Sequence, residues 1–396
     1  MSERAYSRTT ASDFSLVIGG PLYRILRRAR LDGSHHELLW RRIALAILVT
    51  WLPLLVLSLW DGNAWNGTLV PFVRDVDTHV RFLIVVPLLF VAEIVLHGRV
   101  GQAVEKFRDR DLIPASKSAQ ADAVIATAVR WLDSVWVELL LIAIVYTVGV
   151  NGVWRHVSAL EIDTWYGAFA DGRRIPSLAG WWLGWVSIPV IQFLLLRWYY
   201  RLLVWWRLLW QVSRMDLDLQ PLHPDRCGGL GFLGQLSVAF APFLFAEGAM
   251  MAGQIADQIL FAGKSLPNFK IELLAVTIMA VFVILGPLMM FAPGLARAKR
   301  LGLGKYGTLG TRYARDFDRK WLSGVPNDET LVGSGDIQSL ADLGNSYATL
   351  DEMRVVPFKL ATALRLAAAV LLPIAPLLLT MISMEELLSQ MMKVLF

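Results

Sequence analysis

Apolar residues come in seven long runs separated by polar ones. The runs cover about 43–60 (IALAILVTWLPLLVLSLW), 80–97, 123–149, 180–207, 231–260, 271–293 and 356–380. Each approaches or exceeds the roughly 20 helical residues needed to cross a bilayer. The first holds no charged side chain, and Pro53 sits where a kink would form. The second contains Glu93; the third contains Arg130, Asp133 and Glu138; the fifth contains Glu247, Gln254, Asp257 and Gln258. Lys359 and Arg365 fall in the first half of the seventh, together with prolines, so 356–380 also reads as a re-entrant segment or as two short helices. The pattern predicts an all-α, polytopic membrane protein with about seven transmembrane helices. Residues 43–293 form a bundle of about six spans, and 356–396 supply the last span and the C-terminal tail.

Two further segments have helical periodicity without spanning length. Residues 1–42 are basic. Within them Leu22, Ile25 and Leu26 share one face, with Arg24, Arg27, Arg28 and Arg30 mostly opposite, as in a helix lying on a membrane surface. The 294–355 segment places Tyr313, Phe317 and Trp321 at i, i+4, i+8, one aromatic stripe on a basic helix. After a Pro/Gly-bearing break, Ile337, Leu340, Tyr347, Leu350 and Met353 recur at helical spacing behind Asp336, a plausible N-cap. Two amphipathic helices are predicted there, free to pack on the 98–122 loop, a sister subunit or a cytoplasmic protein partner.

Composition agrees. The chain is 56% hydrophobic and 18% charged, against about 25% charged in soluble domains. The loops at 1–42, 98–122, 208–230 and 294–355 are rich in Lys and Arg, and the alternate loops are not. The positive-inside rule then gives a cytoplasmic N-terminus and an outside C-terminus in the cell (inner or plasma) membrane. The net charge of +5 follows from this topology, so nucleic acid is not expected as a partner. The first span follows a long basic segment and should remain as an anchor rather than be cleaved. Cys227 is the single cysteine, which excludes an intramolecular disulfide and a Cys pair for zinc.

Ionisable groups inside apolar runs carry most of the candidate chemistry. A charge at the bilayer centre costs about 2.5–3.5 kcal/mol on insertion scales, so retained charges pair with one another or line water. Arg130 and Asp133, at i, i+3, can pair on one helix. Glu138 needs another partner: Lys359, Arg365 or Arg197. Glu247, Gln254 and Gln258 fall at i, i+7, i+11 and form one polar stripe, which Glu93 could face across a cavity. Elsewhere on that helix Gly248, Ala249, Ala252 and Gly253 form small-xxx-small pairs that allow close helix contact.

The loop DLDLQPLHPDRCGGLGFLG invites several readings. Gly229, Gly231 and Gly234 match G-x-G-x-x-G, but an apolar helix precedes them where the dinucleotide fingerprint needs a strand. Gly228, Gly229, Gly231 and Arg226 remain candidates for an anion or lipid headgroup at a helix N-terminus. Asp216, Asp218, His223 and Asp225 have no spacing diagnostic of a metal, so no metal or cofactor is assigned. The structural alternative has the prolines ending one span, Asp225 capping, and the glycines turning the chain into the next. Arg201, Arg207 and Arg214 with Trp205, Trp206 and Trp210 read as an interfacial girdle.

The function expected from these features is a channel or transporter passing small ions or solutes between helices, as a homo-oligomer in the lipid bilayer. A membrane scaffold or signalling protein docking a partner through its cytoplasmic helices is the alternative. A lipid-active enzyme using the loop carboxylates and His223 is a second alternative; catalysis is not expected.

Overall fold

The computed structural model describes residues 35–150, 152, 163–170, 173–323, 330–331 and 333–381. The surface helix expected within 1–42 and the tail beyond 381 lie outside them.

Six helical stretches are long and apolar enough to cross a membrane: α1 (Leu39–Trp60), α2 (Val76–Asp109), α5 (Leu178–Ser213), α6 (Gly231–Ala262), α7 (Leu266–Leu322) and α9 (Leu360–Met381). A seventh crossing comes from α3 (Ala115–Leu132) and α4 (Val135–Gly149), which meet at a bend of 47°. The protein is a multi-pass α-helical membrane protein. The seven expected spans all fall on these elements, and 356–380 is helical from Leu360 onward, ending in a 3₁₀ segment. Beyond the spans there is an amphipathic helix, α8 (Asp336–Asp351), and one hairpin of β1 (Gly167–Ala170) against β2 (Arg173–Pro176).

Three membrane prolines explain how the helices interlock. Proline has no N–H, so the carbonyl four residues earlier loses its helical donor. In lipid that carbonyl needs a partner from elsewhere in the protein. Pro53 frees Val49, whose oxygen accepts from Trp182 Nε1 of α5 at 3.0 Å. Pro189 frees Trp185, whose oxygen accepts from the Tyr146 hydroxyl of α4 at 3.2 Å. Pro287 frees Val283, whose oxygen accepts from Trp206 Nε1 of α5 at 2.7 Å. In each case an aromatic side chain of a neighbouring helix replaces the missing amide.

Close helix approach follows from glycine. A methyl at Gly248 of α6 would collide with the backbone carbonyl of Val370 in α9, and one at Gly253 would press on the backbone of Asp77 in α2. The small residues of α6 therefore let α9 and α2 pack directly on it.

The bend between α3 and α4 sits at Asp133 and Ser134. Asp133 ends α3, and Ser134 is extended before α4 begins. Neighbouring α5 holds the break: the Tyr200 hydroxyl donates to the Trp131 carbonyl at 2.8 Å, and the Arg207 guanidinium lies 4.2 Å from the Trp131 ring centre. α7 departs furthest from expectation. It runs as one helical stretch from its membrane portion through the glycine-spaced GLGKYGTLG to Leu322. α8 packs along it, with Gly302 closing against Leu350 and Pro221.

Candidate functional site

Four charged side chains gather where α2, α4 and α5 meet. Glu93 of α2 accepts from Arg201 Nη1 at 2.5 Å and lies 3.7 Å from Arg197 Nη1. Arg197 Nε is 3.6 Å from Glu138 Oε1 of α4. All four side chains are nearly out of contact with solvent, at 4% to 12% exposure. The register of α5 makes the cluster possible: Arg197 and Arg201 are one turn apart and share a face. Arg42 of α1 acts through space on both Glu93 and Arg197. Taking any one of these ions into the bundle would be costly; together each is compensated by an opposite charge. Glu93 and Glu138 are thus tied to cations rather than facing a common cavity with the α6 stripe. Of the partners considered for Glu138, Arg197 is the one beside it. Lys359 and Arg365 are exposed near the start of α9.

The α6 stripe has a different setting. Glu247 is half-buried near the middle of the helix and accepts a hydrogen bond from the Tyr199 hydroxyl of α5 at 2.9 Å. Desolvation and that phenol are the influences acting on it; no cationic side chain among the described residues does so. Gln254, two turns on, is exposed, and Gln258 accepts from Lys264 Nζ at 2.7 Å. The stripe therefore lies on the flank of the protomer, not in its interior. Asp257, on the same helix, turns inward and accepts from the backbone N–H groups of Val76 and Asp77 at 3.0 and 3.3 Å, capping the start of α2. Beside it Asp75 takes Thr78 N, Thr78 Oγ1 and Trp165 Nε1 at 2.7 to 2.8 Å, which joins the hairpin loop to this end of the bundle.

At the opposite end, the 214–230 loop is a closed knot around Asp225. Its carboxylate accepts from the backbone N–H groups of Cys227, Gly229 and Gly231 at 2.8, 3.2 and 2.8 Å. Burial works against ionisation, but those donors, from Gly231, Cys227 and Gly229, and the neighbouring His223 hold the carboxyl below the usual carboxylate range. Arg226, Gly228 and Gly229 take positive φ to wrap the chain around it. Arg110 donates to the Gly229 carbonyl at 2.8 Å and Arg354 to the Asp225 carbonyl at 2.7 Å, so the loops before α3 and before α9 close over the knot. This revises the anion-site expectation for Gly228, Gly229, Gly231 and Arg226. The donors at Gly229 and Gly231 are already taken by an internal carboxylate, and Arg226 pairs with Glu352. Burial pushes the Cys227 thiol up to about 12. Asp216 pairs instead with Lys117 at 2.6 Å, and among the described residues no three His, Cys, Asp or Glu side chains gather to hold a metal ion.

No protein family, curated protein or solved structure matches this chain.

Two expectations from sequence are corrected by local geometry. Arg130 donates to Thr127 Oγ1 at 3.0 Å, and Asp133 sits at the bend as the end of α3 rather than on a continuing helix face. Tyr313 and Trp321 turn toward the start of α8: the Tyr313 hydroxyl donates to the Asp336 carbonyl and Trp321 Nε1 to the Asp336 carboxylate, each at 3.0 Å. Asp336 is therefore held by the aromatic stripe and by Lys320, and makes no N-cap hydrogen bond of its own. Arg201, read as part of a girdle, is the closest counter-ion of Glu93. The signal was present in the four-residue spacing of Arg197 and Arg201 within an apolar run.

Proposed function

We propose that this protein is a membrane transport protein for small ions or small polar solutes, working as a homo-oligomer. Its polar path follows the outward stripe of α6 from Glu247 toward Gln254. The observation supporting this reading is the setting of Glu247: mid-span, half-open to the flank of the protomer, bonded to a phenol and without a cation among the described residues. A carboxylate presented to lipid at that depth costs about 2.5–3.5 kcal/mol on insertion scales. Water or a second copy against the flank removes that cost. The basic loop ends face the cytoplasm in this reading, in the inner or plasma membrane, with the N-terminus inside and the C-terminus outside. The activity needs no catalytic group.

The test is flux. Full-length protein is reconstituted into liposomes, and proton, potassium and chloride movement is followed in separate assays. Glu247→Gln should cut flux of the carried ion at least about tenfold while elution volume and unfolding midpoint stay near wild type. Wild-type vesicles no leakier than empty ones to every probe, or unaltered flux in the variant, would overturn the reading.

A scaffold role is favoured by a separate observation. The α7–α8 hairpin keeps Leu301, Leu309, Leu322, Ile337 and Tyr347 exposed, an apolar surface of the kind partners cover. Co-purification of one stoichiometric partner, lost when Leu309 and Leu322 are changed to Glu, would favour that role.

A further inference from the structure

A cleft of about 400 Å³ opens on the side of the bundle among α1, α4 and α5, with Phe90 of α2 at its floor. That size falls within the ~300–1,000 Å³ range of ligand sites. Its length is set by α1: Arg42 stands at one end and Thr50 at the other, about 12 Å apart along the helix. Between them the walls are aliphatic or aromatic, including Leu45, Ala46, Val190 and Phe193. The two hydroxyls in the lining are engaged elsewhere. Thr50 Oγ1 donates to the Ala46 carbonyl at 2.7 Å, and Tyr146 donates to Trp185. Leu45, Ile142 and Tyr146 are exposed along the rim, so the slot is entered sideways, from the bilayer.

The charge at the slot's end is unbalanced. Arg42, Arg197 and Arg201 stand against Glu93 and Glu138, three cations to two anions. Arg41, beside Arg42, is exposed. A dry slot ending on surplus positive charge is complementary to an amphiphile with one acyl chain to bury and one anionic group to place. We propose that this cleft is a binding site for an anionic phospholipid, with an acyl chain between α1 and α5 and the phosphate at Arg42. A zwitterionic lipid of the same chain length fills the slot equally well but carries its own cation to Arg42, so selectivity lies in the headgroup.

The test uses full-length protein, stripped of lipid in detergent, then given phosphatidylglycerol or phosphatidylcholine with identical tails. Retained lipid is counted by native mass spectrometry. Wild type should hold phosphatidylglycerol about fivefold more tightly, the fold-change that ~1 kcal/mol per interfacial cation gives. Arg42→Gln should remove the preference. Because that change also touches the ion cluster, Ala46→Phe is the second variant: it fills the slot, leaves every charge in place and should lose the tightly held lipid. Equal retention of the two lipids by wild type, or a preference that survives Ala46→Phe, would overturn the proposal. Neither result depends on whether the protein passes ions.

Discussion

Replacing Trp206 with Phe keeps an aromatic ring against Phe282 but takes away the indole N–H that reaches Val283. Because Pro287 cannot donate, the Val283 carbonyl is then left without a partner in the bundle. An orphaned buried carbonyl costs about 1–3 kcal/mol. Measured hydrogen bonds between membrane helices average nearer 0.6 and reach about 1.7. Trp206 is half-buried, so the expected loss is about 1 kcal/mol. The decisive quantity is its dependence on the proline. In a Pro287→Ala background the backbone regains an N–H at position 287, and Val283 again has an intrahelical donor. Trp206→Phe should then cost about 1 kcal/mol less than in wild type. The four proteins of this cycle can be compared by equilibrium unfolding in mixed micelles, following Trp fluorescence. Independent sites add to within about 0.3–0.5 kcal/mol. A Trp206→Phe cost that is the same in both backgrounds, inside that margin, would refute the claim that the indole substitutes for the missing amide.

Three further outcomes follow from contacts already described. Glu93→Gln removes the carboxylate shared by Arg197 and Arg201 and should destabilise by about 3 kcal/mol, the low end for breaking a buried pair. Glu138→Gln leaves Arg197 with Glu93 and should cost less; the reverse order in the same unfolding assay would count against the cluster as drawn. Asp225 is held below the usual carboxylate range when folded, so its contribution is complete above that range and is lost as pH falls through the depressed value. The stability gap between wild type and Asp225→Asn should therefore narrow on acidification below about pH 4, and a gap that widens would contradict the knot. Cys227, buried and with its thiol held up to about 12, should resist maleimide at pH 8 in the folded protein and label fully after denaturation. Rapid labelling of native protein would place it at the surface.

Hydropathy made the spans legible because lipid allows few alternatives: an apolar run of that length has to satisfy its own backbone. What crosses between helices was far less readable. Prolines 53, 189 and 287 announce broken hydrogen bonds, but the identity of the replacing donors depends on the rotation of a helix distant in sequence. The same holds for Asp257, whose backbone partners lie some 180 residues away. The α3–α4 bend was hidden because Asp133 and Ser134 interrupt a run whose overall apolarity still reads as one span. The glycines of GLGKYGTLG suggested a break in the 294–355 segment, yet packing of Gly302 on Leu350 and Pro221 outweighs a propensity cost of about 1 kcal/mol per glycine. Asp225 was legible as a cap, though not as the centre on which three loops converge.

The continuity of α7 carries a mechanical consequence. Past Ala292 the helix extends roughly 45 Å beyond its apolar portion at 1.5 Å per residue. A tilt of about 5° at the bilayer would sweep its tip sideways by about 4 Å on that geometry. α8 stiffens the arm along its length, and the 3₁₀ segment Gly286–Phe291 at its base is the natural pivot. A load on the tip would thus reach the Val283 carbonyl, and through Trp206 the helix that bears Arg197 and Arg201, without any loop having to transmit it.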